Sequence, residues 1–370
     1  MTHFDVAIVG AGIAGASLAA ELVAHGSVLL IEAEDHPGYH ATGRSAAFWS
    51  ETYGGADVQP LTSASGGYLA AQGVMAPLGS LHIGRADDAA AAAAFLADFA
   101  DSGIVLTPVD PRALVPGLRA DWTIGIAEPS CAYIDVAALH QHYLARARRG
   151  GAELVTGAAM AAAERTSAGW RIVAGTQAWR ADVLVNAAGA WADQVAQAAG
   201  ARPLGLAAYR RTMVQLRTAP APPPAMPHVA HLGGNFYFKP EAGGRLWLSP
   251  HDEIPSPPCD AAPEELDVAT AIDRLEQVVG WRIAAVERRW AGLRTFAPDR
   301  LPIYGFDAQV PGLFWFAGQG GFGIQTAPAA ALIAAALITG GSVDPSVAAI
   351  DPTRYAATRF AGAQRTDMPR

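Results

Sequence analysis

Residues 9–34, VGAGIAGASLAAELVAHGSVLLIEAE, have the order strand end, glycine turn, helix and second strand. Gly10, Gly12 and Gly15 form the pattern G-x-G-x-x-G directly after the apolar, β-prone residues 5–9. In such a unit the first glycine allows a tight turn, the second lets a pyrophosphate approach the backbone, and the third lets the helix pack closely on the strand. The free N–H groups at the helix N-terminus attract the anion. We therefore expect a dinucleotide site here.

An acidic residue strengthens this interpretation. Glu32 stands at the end of the second strand, about 20 residues beyond the glycine turn, where a carboxylate can accept hydrogen bonds from both ribose hydroxyls. A carboxylate at this position would repel a 2′-phosphate, which argues against NADP. The alternative is a glycine-rich structural turn, but the strands, the helix and the acid together favour the dinucleotide site.

Composition limits the class of protein. The chain has 370 residues, 51% of them hydrophobic, so it can bury a large core and is long enough for two domains. Its formal net charge of −8 provides no basic surface for nucleic acid, which we do not expect as a partner. The ten histidines form no recognisable ligand pattern, so we expect no metal.

Three features bear on location. Cys131 and Cys259 form no CxxC pair, which suits a reducing compartment. The first strand starts within a few residues of Met1 and leaves no room for a signal peptide. The apolar run APAAALIAAALITGG, residues 327–341, is shorter than the ~20 residues of a membrane-spanning helix. We expect a cytoplasmic protein without a transmembrane segment, in which this run is a buried helix.

Nucleotide-type segments recur along the chain. LVNAAGAW at 184–191 and GLFWFAGQGGFGIQTAPA at 312–329 each combine an apolar strand with small residues and a helix start. A second glycine-rich helix start implies a ligand long enough to be held at both ends, which favours FAD over NAD. Between 202 and 296, strand-like pieces suggest an antiparallel sheet. We expect an α/β protein with a discontinuous Rossmann-like FAD-binding domain (1–76, 150–200 and 297–370) and an α+β substrate-binding domain built on that antiparallel sheet (77–149 and 201–296).

The segments VGAGIAGAS, GRSA, LVNAAGAW and GQGGFGIQTAP together resemble the D-amino-acid oxidase and glycine oxidase superfamily of FAD enzymes over essentially the whole chain. Within it the sequence is most similar to bacterial D-arginine dehydrogenases, through PGYHATGRSAA, RPLGL, FYFKP, WAGLRTF and QGGFGIQT. The resemblance implies non-covalent FAD and an amino-acid substrate.

The resemblance also implies the cofactor contacts. Ala14 and the neighbouring glycines would hold the pyrophosphate, and Glu32 and Ala33 the adenosine ribose. The helix that starts near Gly320 would direct its N-terminus at the flavin. For Arg44 the alternative is a surface ion pair. The further implied contacts are Thr42, Gly43, Arg44, Ser45, Ala46, Ala47, Phe48, Ala159, Gly189, Gly320, Gly321, Phe322, Gly323, Ile324, Gln325 and Thr326.

For the substrate, Arg294 in WAGLRTF matches a residue that grips the carboxylate, a task suited to a bidentate guanidinium. Arg211, rather than its neighbour Arg210, and Tyr237 match its helpers, and Tyr53 matches a residue over the flavin near the amine. In the family, Cα transfers a hydride to flavin N5 once the amine has lost its proton. Gly320 completes the implied catalytic set.

The side-chain pocket departs from the arginine enzymes. Phe48, followed by Trp49, stands where the family has a histidine, and Leu81, between Ser80 and His82, stands near the position of its substrate-pairing glutamate. A buried guanidinium without a carboxylate would be costly, so we expect a neutral or hydrophobic side chain in a pocket formed by Phe48, Trp49 and Leu81. Glu51 is a residue that could replace the missing acid.

We therefore expect oxidation of a D-amino acid to the imino acid, which hydrolyses to a 2-oxo acid and ammonia. Three alternatives stay open: an oxidase of sarcosine or another secondary amine, a 2-hydroxy-acid dehydrogenase, and a non-catalytic FAD-binding partner subunit. A hydroxy acid would require a base for its hydroxyl proton, and no histidine stands in a matched position. The sequence fixes neither the electron acceptor, nor the reactivity with oxygen, nor the oligomeric state.

Overall fold

The computed structural model describes residues 1–46 and 48–361. Over these ranges the strands are β1 (His3–Val9), β2 (Val28–Ile31), β3 (Phe48–Trp49), β4 (Met75–Pro77), β5 (Ser80–Arg85), β6 (Thr107–Pro108), β7 (Trp122–Glu128), β8 (Ala132–Ile134), β9 (Glu153–Val155), β10 (Met160–Thr166), β11 (Gly169–Ala174), β12 (Gln177–Asn186), β13 (Ala207–Ala219), β14 (His228–His231), β15 (Tyr237–Glu241), β16 (Arg245–Ser249), β17 (Ile254–Pro255), β18 (Arg282–Phe296), β19 (Ile303–Phe306), β20 (Leu313–Ala317) and β21 (Gln319–Gly320). The α-helices are α1 (Ile13–Leu22), α2 (Gln59–Ala71), α3 (Ala89–Asp98), α4 (Val136–Arg149), α5 (Ala192–Ala198), α6 (Glu265–Glu276) and α7 (Gly323–Thr339).

The first unit is a Rossmann-like sheet with helices packed on it. Strand β1 lies between β2 and β12 and is parallel to both, β9 extends the sheet beyond β2, and β20 extends it beyond β12. The hairpin β10–β11 pairs with the first half of β12. Helices α1, α2, α4 and α7 contribute to one apolar core with the sheet. Burial on both faces explains the continuous apolar runs of β2 and β20.

The second unit is a ten-stranded sheet in the order β21-β18-β13-β16-β15-β14-β5-β7-β6, with β17 paired to β13. All of these pairs are antiparallel except β5–β14, which is parallel. Helix α6 covers one face, where its buried residues pack with those of β13 and β16. The expected α/β class, with a Rossmann-like unit and an α+β unit, is confirmed.

One expected boundary does not follow the packing. Helix α4 lies within the segment assigned to the substrate domain, yet Leu139, Tyr143 and Ala147 are buried in the same core as α1. We therefore place α4 in the first unit. A small third sheet, β3-β8-β4, joins the segments that pass between the units.

The apolar run near the C-terminus is helix α7, which is buried along most of its length, as expected. Among the described residues, no helix combines the length and apolarity required to cross a bilayer.

The glycine turn after β1 is sterically determined. Gly10 has a φ of 101°, and a Cβ there would lie 2.5 Å from the carbonyl oxygen of Ala187 at the end of β12. A Cβ on Gly15 would lie 1.8 Å from the carbonyl oxygen of Gly10. The close approach of α1 to the strand therefore requires glycine at position 15.

We expect Gly15→Ala to lower the melting temperature and to abolish cofactor retention, because the backbone of Gly10 cannot yield to the new methyl group. Gly67 provides the matched control, since it is exposed within α2 and a Cβ there meets nothing within 4 Å. Gly67→Ala should raise the free energy of unfolding by about 0.5–1 kcal/mol. Thermal unfolding and the flavin-to-protein absorbance ratio of the purified variants test both. A Gly15→Ala protein with wild-type melting and full flavin would contradict the packing argument.

Candidate active site

A cavity of about 470 Å³ begins at the carboxyl ends of β1 and β2 and continues to β13 and β18 of the second unit. The glycine turn, the residues after β12 and the turn before α7 all line it. In open parallel sheets, ligands bind at this edge of the strands. The cavity therefore joins the dinucleotide site to the second sheet.

Polar contacts fix the nucleotide end. The Glu32 carboxylate accepts hydrogen bonds from the N–H of Ala11 at 2.8 Å and of Glu34 at 3.0 Å, so it is held at the cavity wall. The hydroxyl of Thr42 accepts from the N–H of Ile13 at 2.9 Å and ties the following loop to the start of α1. Backbone without side chains at the start of α1, together with the buried carboxylate of Glu32, fits the binding of an adenine dinucleotide.

Most of the expected cofactor residues line this cavity. They are Gly10, Gly12, Ala14, Glu32, Ala33, Thr42, Arg44, Ser45, Ala46, Ala159, Gly189, Gly320, Gly321, Gly323 and Ile324. The expectation for Ala47 lies outside the described residues.

Six expected cofactor contacts do not line the cavity: Gly15, Gly43, Phe48, Phe322, Gln325 and Thr326. The side chains of Phe322, Gln325 and Thr326 turn into the protein. Phe322 packs with Val58 and Phe296, and the Thr326 hydroxyl donates to the carbonyl of Phe322. The Gln325 amide donates to the carbonyl of Tyr53 at 3.0 Å. These side chains hold the cavity wall in place.

Arg44 lines the cavity and also forms an ion pair. Its guanidinium is ion-paired with Asp260 and donates to the carbonyl oxygens of Ala261 at 2.8 Å and Ala291 at 3.3 Å. Although Arg44 lines the cavity, these partners lie on the second unit. The side chain therefore links the two units, and the ion pair that was the alternative for Arg44 is present together with its place in the cavity wall.

The second end of the cavity contains an arginine held by two phenols. Nη1 of Arg294 donates to the hydroxyl of Tyr53 at 2.6 Å, and Nη2 donates to that of Tyr237 at 3.3 Å. Within the described ranges, Arg294 forms no salt bridge. A Cβ on Gly321 would lie 2.1 Å from the Tyr53 hydroxyl and 2.9 Å from Nη1 of Arg294, so the turn before α7 is pressed against this pair.

Arg211 lies beside Arg294 in the same cavity wall. Its Nε donates to the carbonyl of Asp252 at 2.6 Å, while its buried Nη1 has no hydrogen-bond partner among the described residues. The adjacent Arg210 lies on the opposite face of β13, where it pairs with Glu264 and with Asp267 at 3.0 Å. Strand alternation thus separates the two arginines, and Arg211 is the one that lines the cavity.

The electrostatics of the cavity end that contains Arg211 and Arg294 favour an anion. Burial lowers the pKa of the Arg211 guanidinium, and the charge of Arg294 lowers it further. Burial also opposes the charged form of Arg294, but Tyr53 and Tyr237 outweigh it and raise its pKa above the ordinary value. Burial, reinforced by both arginines, lowers the pKa of His251 to about 3, so this imidazole is neutral at neutral pH.

Of the three expected pocket residues, only Phe48 contacts the two phenols that hold Arg294, and it does so from behind the cavity lining. The Phe48 ring lies 4.2 Å from the ring of His228, 5.4 Å from that of Tyr53 and 6.0 Å from that of Tyr237. Trp49 points to the other side of β3, where it is buried in the core of the first unit and its Nε1 donates to the carbonyl of Thr62 at 3.0 Å. Placing Trp49 in the pocket was therefore wrong.

The expectation for Leu81 was wrong for the same geometric reason. Leu81 is fully buried in the core beneath α6, together with its β14 partner Val229. Its neighbours Ser80 and His82 lie on the opposite face of β5, where Ser80 contacts His228 at 3.0 Å. Period-two alternation of side chains decides which residue faces the site.

The structure adds acidic contacts that the sequence pattern did not indicate. The fully buried carboxylate of Glu128, at the end of β7, accepts hydrogen bonds from the residue 50–52 turn. The carboxylate of Glu51 accepts instead from the Ser63 hydroxyl at 2.5 Å and faces α2, so it does not replace the missing substrate-pairing acid. Neither acid stands in a recognisable motif.

Comparison with known proteins agrees with this geometry. Residues 5–337 match the model of a family described as FAD dependent oxidoreductase. A glycine oxidase from Geobacillus kaustophilus superimposes with a TM-score of 0.83 at 22% identity, covering 97% of this chain and 99% of that one. An L-proline dehydrogenase from P. horikoshii has a TM-score of 0.83 at 20% identity, covering 96% and 98%. An L-α-glycerophosphate oxidase from Mycoplasma pneumoniae with FAD bound has a TM-score of 0.84 at 14% identity, covering 93% and 97%. The expected FAD cofactor and superfamily are thus confirmed, and the chain belongs to the FAD-dependent oxidoreductase family.

Proposed function

We propose that this enzyme oxidises a neutral D-amino acid to the imino acid, which water hydrolyses to a 2-oxo acid and ammonia. The observation that carries the proposal is the Arg294 guanidinium, which lines the cavity with phenol hydroxyls as its hydrogen-bond partners. A planar carboxylate matches a guanidinium bidentately. The free carboxylate of an amino acid is therefore the group that we assign to this position.

The neighbouring arginine supports this assignment. Two like charges in one wall repel each other, and Arg211 carries an unpartnered buried donor in addition. An anion placed against both guanidiniums offsets the repulsion and supplies the missing acceptor. Binding of the substrate carboxylate would thus offset the repulsion between Arg211 and Arg294 and the burial of an unsatisfied donor.

The chain's own residues bind and orient the substrate. The two guanidiniums hold its carboxylate, and their positive charge lowers the pKa of the nearby substrate ammonium group, which favours the neutral amine required for oxidation. Bound FAD supplies the two-electron oxidant. Fixing the carboxylate restricts the orientation of the Cα–H bond, which is the main contribution expected from the protein.

The side-chain preference follows from the surroundings of Phe48. Its neighbours are aromatic rings, and the fully buried carboxylate of Glu128 is already engaged by Ser50 and Thr52. Burial of apolar surface gains about 25 cal/mol per Å², whereas a guanidinium would lose water without gaining a carboxylate. We therefore propose that neutral side chains are preferred.

Purified protein should be yellow and should release FAD without a covalent link when precipitated with acid. Chromatography of the supernatant identifies the cofactor. Cys259 lines the cavity and is the residue to examine if colour stays in the pellet. Colour that remains in the wild-type pellet but not in that of Cys259→Ser would overturn non-covalent binding, and recovery of FMN would overturn FAD.

An anaerobic screen tests the substrate class. We expect D-Leu, D-Met or D-Phe to reduce the flavin with higher kcat/KM than D-Arg or D-Lys, and the L-enantiomers to leave it oxidised. Bleaching of the flavin absorbance is the measurement. Reduction by N-methyl amino acids alone would favour a secondary-amine oxidase, reduction by 2-hydroxy acids alone a hydroxy-acid dehydrogenase, and no reduction by any of them a non-catalytic subunit.

Arg294→Met should abolish or greatly weaken turnover while FAD stays bound, because a desolvated charge pair with the substrate carboxylate contributes about 2–5 kcal/mol. Arg211→Met should show a smaller loss of the same kind. Arg210→Met is the matched control, since Arg210 pairs with acids on the opposite face of β13. Steady-state kinetics and flavin content separate binding from folding. Equal kinetics in the Arg294 and Arg210 variants would remove Arg294 from the site.

A further inference from the structure

The carboxylate of Glu128 is fully buried and belongs to the second unit, yet most of its partners belong to the first. Its oxygens accept from the Thr52 hydroxyl at 2.7 Å, the Ser50 hydroxyl at 3.0 Å and the backbone N–H of Glu51 at 2.8 Å. The imidazole Nε2 of His82 lies 3.1 Å from the same carboxylate. One acid therefore organises three consecutive residues of a turn across the boundary between the units.

That turn leads directly to Tyr53. On its other side, Gln325 accepts from the N–H of Ser50 at 3.2 Å and donates to the carbonyl of Tyr53 at 3.0 Å. The turn is thus held between the second sheet, through Glu128, and helix α7, through Gln325. The Tyr53 hydroxyl in turn accepts from Arg294 at 2.6 Å.

The chemistry of the contacts explains why a carboxylate is needed. The hydroxyls and the backbone N–H directed at Glu128 all act as donors, and an ionised carboxylate is an acceptor only. Burial opposes the charge of Glu128, but its contacts with His82, Thr52 and Ser50 outweigh that effect and lower its pKa below the ordinary value. A glutamine would present its NH₂ group to at least one of these donors.

We propose that Glu128 is a positioning residue for substrate binding, which sets the Tyr53 hydroxyl against Arg294 and thereby preorganises the carboxylate site. The inference rests on the proposed function, because it assigns a role in binding an amino-acid carboxylate. It is distinct from a role as partner of the substrate side chain, since the Glu128 oxygens are already engaged by the turn. The effect of Glu128 must then be transmitted through Tyr53.

A double-mutant cycle tests this dependence. Glu128→Gln should lower kcat/KM by about 10- to 100-fold through misplacement of the binding groups. In a Tyr53→Phe background, the same substitution should lower it by less than about twofold, because contacting residues that act as a unit are not additive. Equal fold-losses in both backgrounds would overturn the proposal and leave Glu128 a purely structural residue.

Two further variants keep the test interpretable. Glu21→Gln alters a hydrogen-bonded carboxylate on α1 that pairs with Arg146, away from the Tyr53 turn, and should leave kcat/KM within about twofold of wild type. If Glu128→Gln does not fold, Thr52→Val removes the 2.7 Å contact with little change in volume and takes its place in the cycle. Flavin content and melting temperature are recorded for every variant.

Benzoate binding separates this inference from the proposed function. Benzoate has a carboxylate but no oxidisable amine, and its affinity can be followed through the flavin spectrum without turnover. Glu128→Gln should weaken benzoate binding in the wild-type background but not in Tyr53→Phe. If this coupling holds while no amino acid reduces the flavin, the proposed substrate is wrong and the role of Glu128 stands. If amino acids are oxidised but the Glu128 and Tyr53 substitutions show no coupling in benzoate binding or in kcat/KM, the role of Glu128 is wrong and the proposed substrate class stands.

Discussion

Two guanidinium groups that line the same cavity impose the main electrostatic constraint on this fold. Arg211 and Arg294 lie on neighbouring antiparallel strands, where Arg211 pairs with Gly292 and Arg294 pairs with Tyr209 in the register of β13 and β18. This long strand pair fixes both backbones. The charges repel each other, and their cost is tolerable only because phenols, a backbone carbonyl and nearby acids compensate part of it. The positive charge that these groups do not compensate favours the binding of an anion.

The glycine turn of the expected dinucleotide site lies in the same cavity as that pair. The glycine turn after β1 and the turn before α7 both open into the cavity, and each depends on the absence of a side chain. At Gly15 the constraint is contact with the Gly10 carbonyl, and at Gly321 it is contact with Tyr53 and Arg294. Glycine is therefore required near both ends of the cavity, and the ion pair between Arg44 and Asp260 links the first unit to the second.

The parts of the site that were predictable from the sequence are those governed by local rules. The steric needs of Gly10 and Gly15, and the acid at Glu32, depend on a short segment with a fixed geometry, so a pattern of letters identifies them. The antiparallel sheet followed from strand-like periodicity. Leu81 and Trp49 were misplaced because the sequence shows alternation but not which face of a strand meets the cavity. No sequence pattern indicated Glu128, because its partners in the residue 50–52 turn are 76 to 78 residues away in the chain and become neighbours only through tertiary folding.

These corrections change where substrate selectivity can reside. A carboxylate introduced at position 81 would be buried in the apolar core beneath α6, on the face of β5 opposite to Ser80 and His82, with no cation to receive it. Such a change would destabilise the fold without reaching the substrate. The aromatic rings of Phe48, His228 and Tyr237 form a cluster that contacts Arg294 through the Tyr237 hydroxyl, although none of the three lines the cavity. Burial lowers the pKa of His228 well below its ordinary value, so its imidazole is neutral at neutral pH. A cationic substrate side chain would be repelled by the two guanidiniums in the cavity wall, which supports the proposal that a neutral side chain is preferred to that of arginine or lysine.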